Sequence, residues 1–364
     1  MSILYDEEQE AIFAQSQRVL AAQADKARSL ALLETTGEFD EKFWSTAIDQ
    51  GWTALAVPEA FGGLGLGLIE LGLIAHAAGA VVAGAPFLTT NYGACQLLLT
   101  SGNREQQEAW LPKLAAGEAI GTVAFAEGNQ ILPEKPSAVF ADGRLTGVKA
   151  GVPGGLKADF AIVLAMANGE PSLVLAEIGQ GWAKSIDSFD NGRLYADLHF
   201  EDAPATLLMS GNDARDAALE VLARMAVVAA HEQTGGAEAV MIEARDYANT
   251  RKAFGQPIGA FQSVKHRIAE LYGLVEIAKA NCIHAASREG EADFIEAAAS
   301  ARLSAIEAYD TASRDAVQIH GGIGVTWESG LHLHMRRARS LAIEQGNALF
   351  WEDVLVDQLA GVAQ

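Results

Sequence analysis

The spacing of apolar residues changes twice along this 364-residue chain, and no other feature of the sequence constrains its fold as much. Up to about residue 118, apolar residues recur every three or four positions, as they do in amphipathic helices. Beyond residue 119, the runs Asp159–Ala165, Ser172–Ile178 and Leu194–Phe200 are β-branched or alternate between apolar and polar residues. These runs predict a small, mainly antiparallel β domain whose strand signals end near Glu201–Pro204.

The helical spacing returns from about Asp213 and continues along the rest of the chain. A second long helix is predicted at about Ala292–Gln318, and the frequent alanines of this region allow helices to pack closely as a bundle. The predicted fold is therefore α+β and mainly α, with a helical domain at residues 1–118, a β domain at 119–210 and a helical bundle at 211–364. One helix of the bundle should carry an apolar stripe formed by Val264, Ile268, Leu271, Val275, Ala278 and Cys282.

The composition excludes several classes of partner. The formal net charge is −21, and so acidic a surface repels both nucleic acid and anionic membranes.

The two cysteines, Cys95 and Cys282, form neither a disulfide framework nor a CxxC metal pattern, so we predict a reducing compartment and no metal site. The first residues lack the pattern of a secretion signal, and the apolar stretches are too short to cross a membrane. We expect a cytoplasmic protein.

The segment Arg251–His266 joins two helices of the predicted bundle. Its glycines and Pro257 break helical structure, and Phe261 begins the next helix. Arg251 therefore lies at a helix C-terminus, where its guanidinium can bond either the last carbonyls or a phosphate. Taken alone, an arginine in this place is most simply explained as a helix cap.

A second segment, Gln318–Glu328, has three glycines in four positions after a long helix. Glycine has no Cβ, so the backbone here can come very close to a ligand. A glycine-rich turn between two helices is the commoner explanation of such a pattern, and the segment alone decides nothing.

Together, the two segments resemble the acyl-CoA dehydrogenase family. The patterns RxxFGxPIxxFQxVKH and QxHGGxGxTxE both occur, in the family's order and about its distance apart. Further upstream, GWTALAVPEAFGGLGLG resembles the family's glycine-rich turn, and GNREQQEAWLPKLAAGEAIGTVAFAE resembles the lead-in to its flavin loop. The resemblance covers essentially the whole chain. It implies an α domain, a β domain and a four-helix bundle, usually assembled as a tetramer with FAD at a subunit interface.

The family dehydrogenates acyl-CoA thioesters between Cα and Cβ. A carboxylate takes the α proton, the β hydrogen passes as hydride to FAD, and an electron-transferring flavoprotein then accepts the electrons. The flavin ring packs on a β domain, whereas the pyrophosphate and adenine reach the bundle of the neighbouring subunit. The resemblance therefore implies that Arg251 contacts the pyrophosphate, with Phe254 and Gln262 lining the same site, and that Gln318, Gly321 and Gly322 admit the adenine end.

The chain departs from the family in the flavin loop, which typically reads A-[LM]-T-E-P-x-A-G-S-D. The matching stretch, Ala124–Leu132, keeps the glutamate as Glu127 but has Ala126 in place of the threonine, whose hydroxyl donates to the flavin. The later K-x-W-I-[TS] element begins at Lys149 and lacks both the tryptophan and the hydroxyl. Both changes weaken a flavin-ring site made by this chain's own β domain.

The catalytic base is also missing from its two family positions. Counting without gaps from the motifs places one position on Gln345 and the other at about Met225, and neither side chain can abstract a proton. Glu344 can serve only if the backbone shifts by one residue, and Glu232 lies about two helical turns from the second position. We therefore predict no catalytic residue in this chain.

One branch of the family has the same pattern. Some bacterial members that act on CoA esters of steroid side chains contain two different subunits, of which one has lost the base and the flavin loop but supplies the adenine side of the FAD site. This chain resembles that subunit, which predicts a heteromer with a homologous acyl-CoA dehydrogenase chain. The alternatives are a self-sufficient homo-oligomeric dehydrogenase that uses Glu344, a flavin oxidase or monooxygenase of the same fold, and a purely structural member.

Overall fold

The computed structural model describes residues 5–84 and 86–361. The chain divides into two compact units whose segments alternate along the sequence. We call them the bundle unit, within residues 1–31, 68–83 and 226–364, and the sheet unit, within residues 32–67 and 84–225. The three-domain bounds predicted from the sequence stay a proposal, and residues 1–4, 85 and 362–364 within them lie outside the described part.

Helices occupy the N-terminal third of the described chain, as the three-to-four spacing predicts. Asp6 begins the first helix and Asn103 begins the sixth, and each accepts a hydrogen bond from the backbone N–H three residues on. The helices are α1 (Glu7–Gln23), α2 (Lys26–Leu33), α3 (Glu41–Asp49), α4 (Leu68–Ala80), α5 (Phe87–Ser101) and α6 (Arg104–Ala116).

A mainly antiparallel sheet follows in the sheet unit, and its strands are β1 (Gly121–Ala124), β2 (Val139–Ala141), β3 (Arg144–Val152), β4 (Phe160–Ala167), β5 (Glu170–Glu177), β6 (Ala183–Ser185) and β7 (Ala196–Ser210). The pairings of β4 with β1 and β2 are parallel, and the others are antiparallel. The order β4-β2-β3-β7-β5 returns to β4, because β4 and β5 also pair. Leu145, Val163, Val174, Leu198 and Phe200 are part of the buried cluster on this sheet.

Strand β7 alternates as predicted, because Ala196, Leu198 and Phe200 are buried while the residues between them are partly exposed. The strand nevertheless runs past its predicted end near Glu201–Pro204 and stops only at Ser210. The reason is a change of partner: the first part pairs with β3 and the last part with β5. Tertiary pairing thus continues a strand where the local sequence signals a turn.

The C-terminal helices confirm the predicted helical, β and helical order. The apolar stripe lies on the helix after the Arg251 segment, where Leu271, Val275, Ala278 and Cys282 are buried and Val264 and Ile268 are partly buried. The elements are α7 (Asn212–Thr250), the two-stranded hairpin β8 (Lys252–Ala253) and β9 (Gln256–Pro257), α8 (Gln262–Ser287), α9 (Phe294–His320), α10 (Leu331–Leu341) and α11 (Ala348–Leu359).

Within the bundle unit, α4 and α7 touch backbone to backbone at two glycines. A Cβ added to Gly79 would lie 1.9 Å from the carbonyl oxygen of Glu232, and one added to Gly235 would lie 1.9 Å from the carbonyl oxygen of His76. No side chain fits at either position, so these glycines fix how closely the two helices approach.

Candidate functional site

The segment after α7 presents a phenylalanine on a strained turn. The backbone N–H of Arg251 donates to the carbonyl of Tyr247 at 2.8 Å, so the exposed Arg251 directly follows the last turn of α7. Phe254 and Gly255 then form the turn of the β8–β9 hairpin with φ values of 51° and 82°. Left-handed backbone is a strained conformation for so bulky a residue as Phe254, and its side chain is 96% exposed.

Helix α8 begins directly after this hairpin. Phe261 precedes the first helical residue, Gln262, whose side chain is exposed. The rings of Phe254 and Phe261 meet edge to face with their centroids 6.2 Å apart. Arg251, Phe254 and Gln262, predicted to line one site, therefore lie on one short connection between two helices.

The glycine-rich segment forms an open turn after α9. Gln318 is exposed in the last turn of the helix, and Gly321 follows the final helical residue with a φ of 62°. A Cβ added to Gly321 or Gly322 would meet no atom within 4 Å. Unlike Gly321, Gly322 does not have a positive φ. Neither the backbone of Gly322 nor its neighbours in the described chain therefore require glycine at this position.

Two aromatic rings connect these segments. Tyr247, one turn before Arg251, stacks on His320, the last residue of α9, with ring centroids 4.1 Å apart and an interplanar angle of 24°. The Tyr247 hydroxyl donates to the His320 carbonyl at 3.5 Å. Neither ring was predicted from the sequence, although their positions beside the two motifs were the available signal.

The turn after α10 holds Gln345, the residue predicted at the first family position for a base. Gln345 is buried with a left-handed φ of 51°, and its side-chain oxygen accepts no hydrogen bond from the described chain. Arg302, which is 0% exposed, donates to the carbonyls of Leu341, Glu344 (2.5 Å) and Gly346 (3.5 Å). One guanidinium therefore fixes the turn on both sides of Gln345, and a one-residue shift of the backbone would break these bonds.

The second family position for a base was predicted at about Met225. Met225 belongs to the buried cluster of the sheet unit, where its sulfur lies 2.4 Å from the place of a Cβ on Gly93. In the bundle unit, the buried Glu232 accepts a hydrogen bond from Arg337 at 2.7 Å. Breaking a buried ion pair leaves an unpaired charge, which strongly destabilises the fold. We therefore interpret Glu232 as a structural ion-pair partner of Arg337.

Glu127 of the flavin loop is bound by its own unit. Its carboxylate accepts hydrogen bonds from Lys149 Nζ (2.5 Å) and from the N–H groups of Ser137 (2.6 Å) and Ala138 (3.1 Å). Burial opposes ionisation, but the bonds from Lys149 and Ser137 prevail and lower the pKa of Glu127 to about 2. Burial lowers the pKa of Lys149 to about 8 against the effect of Glu127, so both groups are charged near neutrality.

The backbone of this loop is closed as well. Glu127 and Gln130 exchange two backbone hydrogen bonds of 3.0 Å, and the carbonyl of Ala126 accepts from the N–H of Ala150 at 2.9 Å. The loop thus joins the Lys149 element through both side chain and backbone, a pairing that sequence analysis missed.

In the described chain, no three His, Cys, Asp or Glu side chains could hold a metal, and no helix is long and apolar enough to span a membrane.

The comparisons with known proteins agree with the motifs. Residues 6–118 match the family "Acyl-CoA dehydrogenase, N-terminal domain", and residues 215–356 match "Acyl-CoA dehydrogenase, C-terminal domain". The acyl-CoA dehydrogenase IpdE2 of Mycobacterium tuberculosis is 30% identical over 325 residues, which cover 89% of this chain and 88% of that protein.

Solved structures share the whole fold. A chain of the Tcur3481-Tcur3483 steroid ACAD superposes with a TM-score of 0.87 at 26% identity and 98% coverage of both chains. A chain of the ChsE4-ChsE5 complex from Mycobacterium tuberculosis has the same fold, with a TM-score of 0.89 at 24% identity over 100% of both chains. The chain belongs to the acyl-CoA dehydrogenase family, the FAD-binding oxidoreductases that act on the CH–CH bond of acyl-CoA thioesters.

Proposed function

We propose that this chain is the subunit of a heteromeric acyl-CoA dehydrogenase that shares FAD with a homologous partner and leaves proton abstraction to that partner. The observation that carries the proposal is the turn around Gln345. An amide stands where the family has a carboxylate, and Arg302 holds the carbonyls of Glu344 and Gly346, so Glu344 cannot take that place without breaking the turn.

The bundle unit fits the pyrophosphate and adenine of FAD. Arg251 is exposed at a helix end, where its guanidinium can donate two parallel hydrogen bonds to a phosphate. Phe254 offers an exposed ring on a strained turn, and Gly322 is a glycine that nothing in the described chain explains. In this proposal, the FAD site on the bundle unit also includes Gln262, Gln318 and Gly321. Bound FAD supplies the hydride acceptor, and these residues hold and orient it.

The β domain does not fit the flavin ring in the same way. Ala126 has no hydroxyl to donate, its carbonyl already accepts a bond from Ala150, and the carboxylate of Glu127 already accepts bonds from Lys149 and two N–H groups. We therefore assign the flavin ring of the shared cofactor to the β domain of the partner subunit.

The surface of the bundle unit supports association with another chain. Several large apolar side chains are exposed there: Tyr272 (56%), Ile277 (57%), Val325 (75%), Leu349 (70%) and Val356 (62%). Exposed apolar side chains in such number favour a protein interface.

Of the two solved relatives, ChsE4-ChsE5 is a complex and Tcur3481-Tcur3483 is a steroid ACAD. We propose an acyl-CoA with a steroid-derived acyl group as substrate and an electron-transferring flavoprotein as electron acceptor.

The test is co-expression with a homologous acyl-CoA dehydrogenase chain whose flavin loop and base are intact, followed by counting FAD per chain. The proposal predicts a stable complex in which two different chains share one FAD, and dehydrogenase activity only in that complex. A yellow, active homo-oligomer of this chain alone would contradict the proposal and establish the self-sufficient enzyme.

A further inference from the structure

The stacked rings of Tyr247 and His320 lie between the two segments assigned to FAD. We propose that this pair is a positioning clamp, which holds Arg251 and the Gly321–Gly322 turn at a fixed separation and so prepares the site before FAD binds. The inference rests on the proposed FAD site and adds two positioning residues to it.

The geometry restrains both rings. The His320 ring donates from Nδ1 to the carbonyl of Ala316 at 2.8 Å, one turn back in α9, and the residue is buried. Tyr247 covers one face of that ring at 4.1 Å and reaches the His320 carbonyl with its hydroxyl. The imidazole is therefore held by its own helix, and the phenol of α7 is held by the imidazole.

Each ring is one link away from a residue that we assign to FAD. The carbonyl of Tyr247 accepts the N–H of Arg251, which fixes where the arginine leaves α7. His320 is covalently joined to Gly321, whose unusual backbone begins the open turn. Without the stack, the ends of α7 and α9 would no longer be held together before FAD binds. FAD binding would then have to order both helix ends, which lowers the affinity for FAD.

A second tyrosine–histidine pair in the bundle unit provides a matched control. Tyr309 of α9 is fully buried, and its hydroxyl is 2.9 Å from Nδ1 of His334 in α10. These rings meet edge to face with centroids 5.9 Å apart. This pair joins α9 to α10 and is directly bonded to neither segment assigned to FAD, so its loss should affect folding alone.

The test measures FAD affinity and Tm in the complex formed by co-expression with the partner chain. Tyr247→Leu should weaken FAD affinity about 3- to 10-fold. Tyr247→Phe keeps the stack and should bind nearly as wild type, whereas Tyr309→Phe should lower Tm and leave FAD affinity unchanged. Because the clamp acts through Arg251, Tyr247→Leu should have a smaller effect in an Arg251→Ala background than in wild type.

The outcomes separate the clamp from the site. Wild-type FAD affinity in Tyr247→Leu, an equal loss of affinity in Tyr309→Phe, or full additivity with Arg251→Ala would overturn the clamp while leaving the FAD site in place. Unchanged FAD affinity in Arg251→Ala would overturn the proposed FAD site, and the clamp with it.

Discussion

Arg302 donates a hydrogen bond of 2.5 Å to the carbonyl of Glu344, and this bond fixes the turn that contains Gln345, the residue predicted at a family position for the base. The guanidinium is fully buried and also binds the carbonyls of Leu341 and Gly346. These bonds hold Glu344 one residue away from the predicted position of the base. We base the proposal of a partner without a base on this contact.

Replacing Arg302 should destabilise the bundle. Arg302→Met leaves buried carbonyls without donors, so the free energy of unfolding should fall by about 2–5 kcal/mol. Arg314→Met on the same helix is the control, because Arg314 forms an exposed pair with Asp310 and should change stability by less than about 1 kcal/mol. Urea unfolding of both variants checks this, and equal unfolding midpoints would remove the structural role of Arg302.

Arg251→Ala should reduce FAD retention without unfolding the chain. Arg251 is exposed, and a charge-assisted bond to phosphate contributes about 1.5–3 kcal/mol, so FAD should be lost on dilution and partly regained at high FAD. Arg245→Ala, which removes an exposed arginine paired with Asp246 on α7, should retain FAD. The ratio of flavin to protein absorbance after gel filtration is the measurement, and a wild-type ratio in Arg251→Ala would rule out the phosphate contact.

The Glu127–Lys149 pair should make stability depend on pH. The pKa of Glu127 falls from 4.5 to about 2 on folding, so its stabilisation is fully present above the unfolded pKa and is lost as pH falls through about 2. Glu127→Gln should therefore cost about 1–2 kcal/mol near neutrality, allowing for solvent screening, and progressively less below pH 4.5. Chemical unfolding from pH 3 to 7 tests this, with the exposed Glu134→Gln as control. A constant difference across that range would contradict the assignment.

The contact between α4 and α7 should tolerate no side chain at Gly235. Gly235→Ala forces a Cβ against the His76 carbonyl and should cost about 1–3 kcal/mol or more. Gly273→Ala in α8, where a Cβ would meet no atom within 4 Å, should instead stabilise the chain by up to about 1 kcal/mol. Thermal unfolding of the two variants distinguishes them, and a neutral Gly235→Ala would show that the helices can separate.

Features that depend on neighbouring residues could be predicted from the sequence, whereas contacts between distant residues could not. The helix break after Arg251 and the open turn at Gly321 follow from glycine and proline in a helical pattern. The Tyr247–His320 contact joins residues 73 positions apart, and the Arg302–Glu344 contact joins residues 42 apart. Such contacts depend on how helices rotate and cross, which hydrophobic periodicity leaves undetermined. The extension of β7 past Pro204 was missed for the same reason, because β5 supplies the pairing.

The most direct test of the central claim is single-turnover bleaching of the flavin by acyl-CoA in the assembled complex. Glu344 is the acid beside the predicted family position and is buried, with only 3% of it exposed. Because glutamine has nearly the same shape as glutamate, Glu344→Gln removes the charge with little change of shape. We predict that Glu344→Gln alters the bleaching rate by less than a few-fold, while replacing the partner subunit's catalytic glutamate abolishes bleaching. A loss of about 10²–10⁴-fold in Glu344→Gln, with FAD content and assembly intact, would show that this chain supplies the base after all.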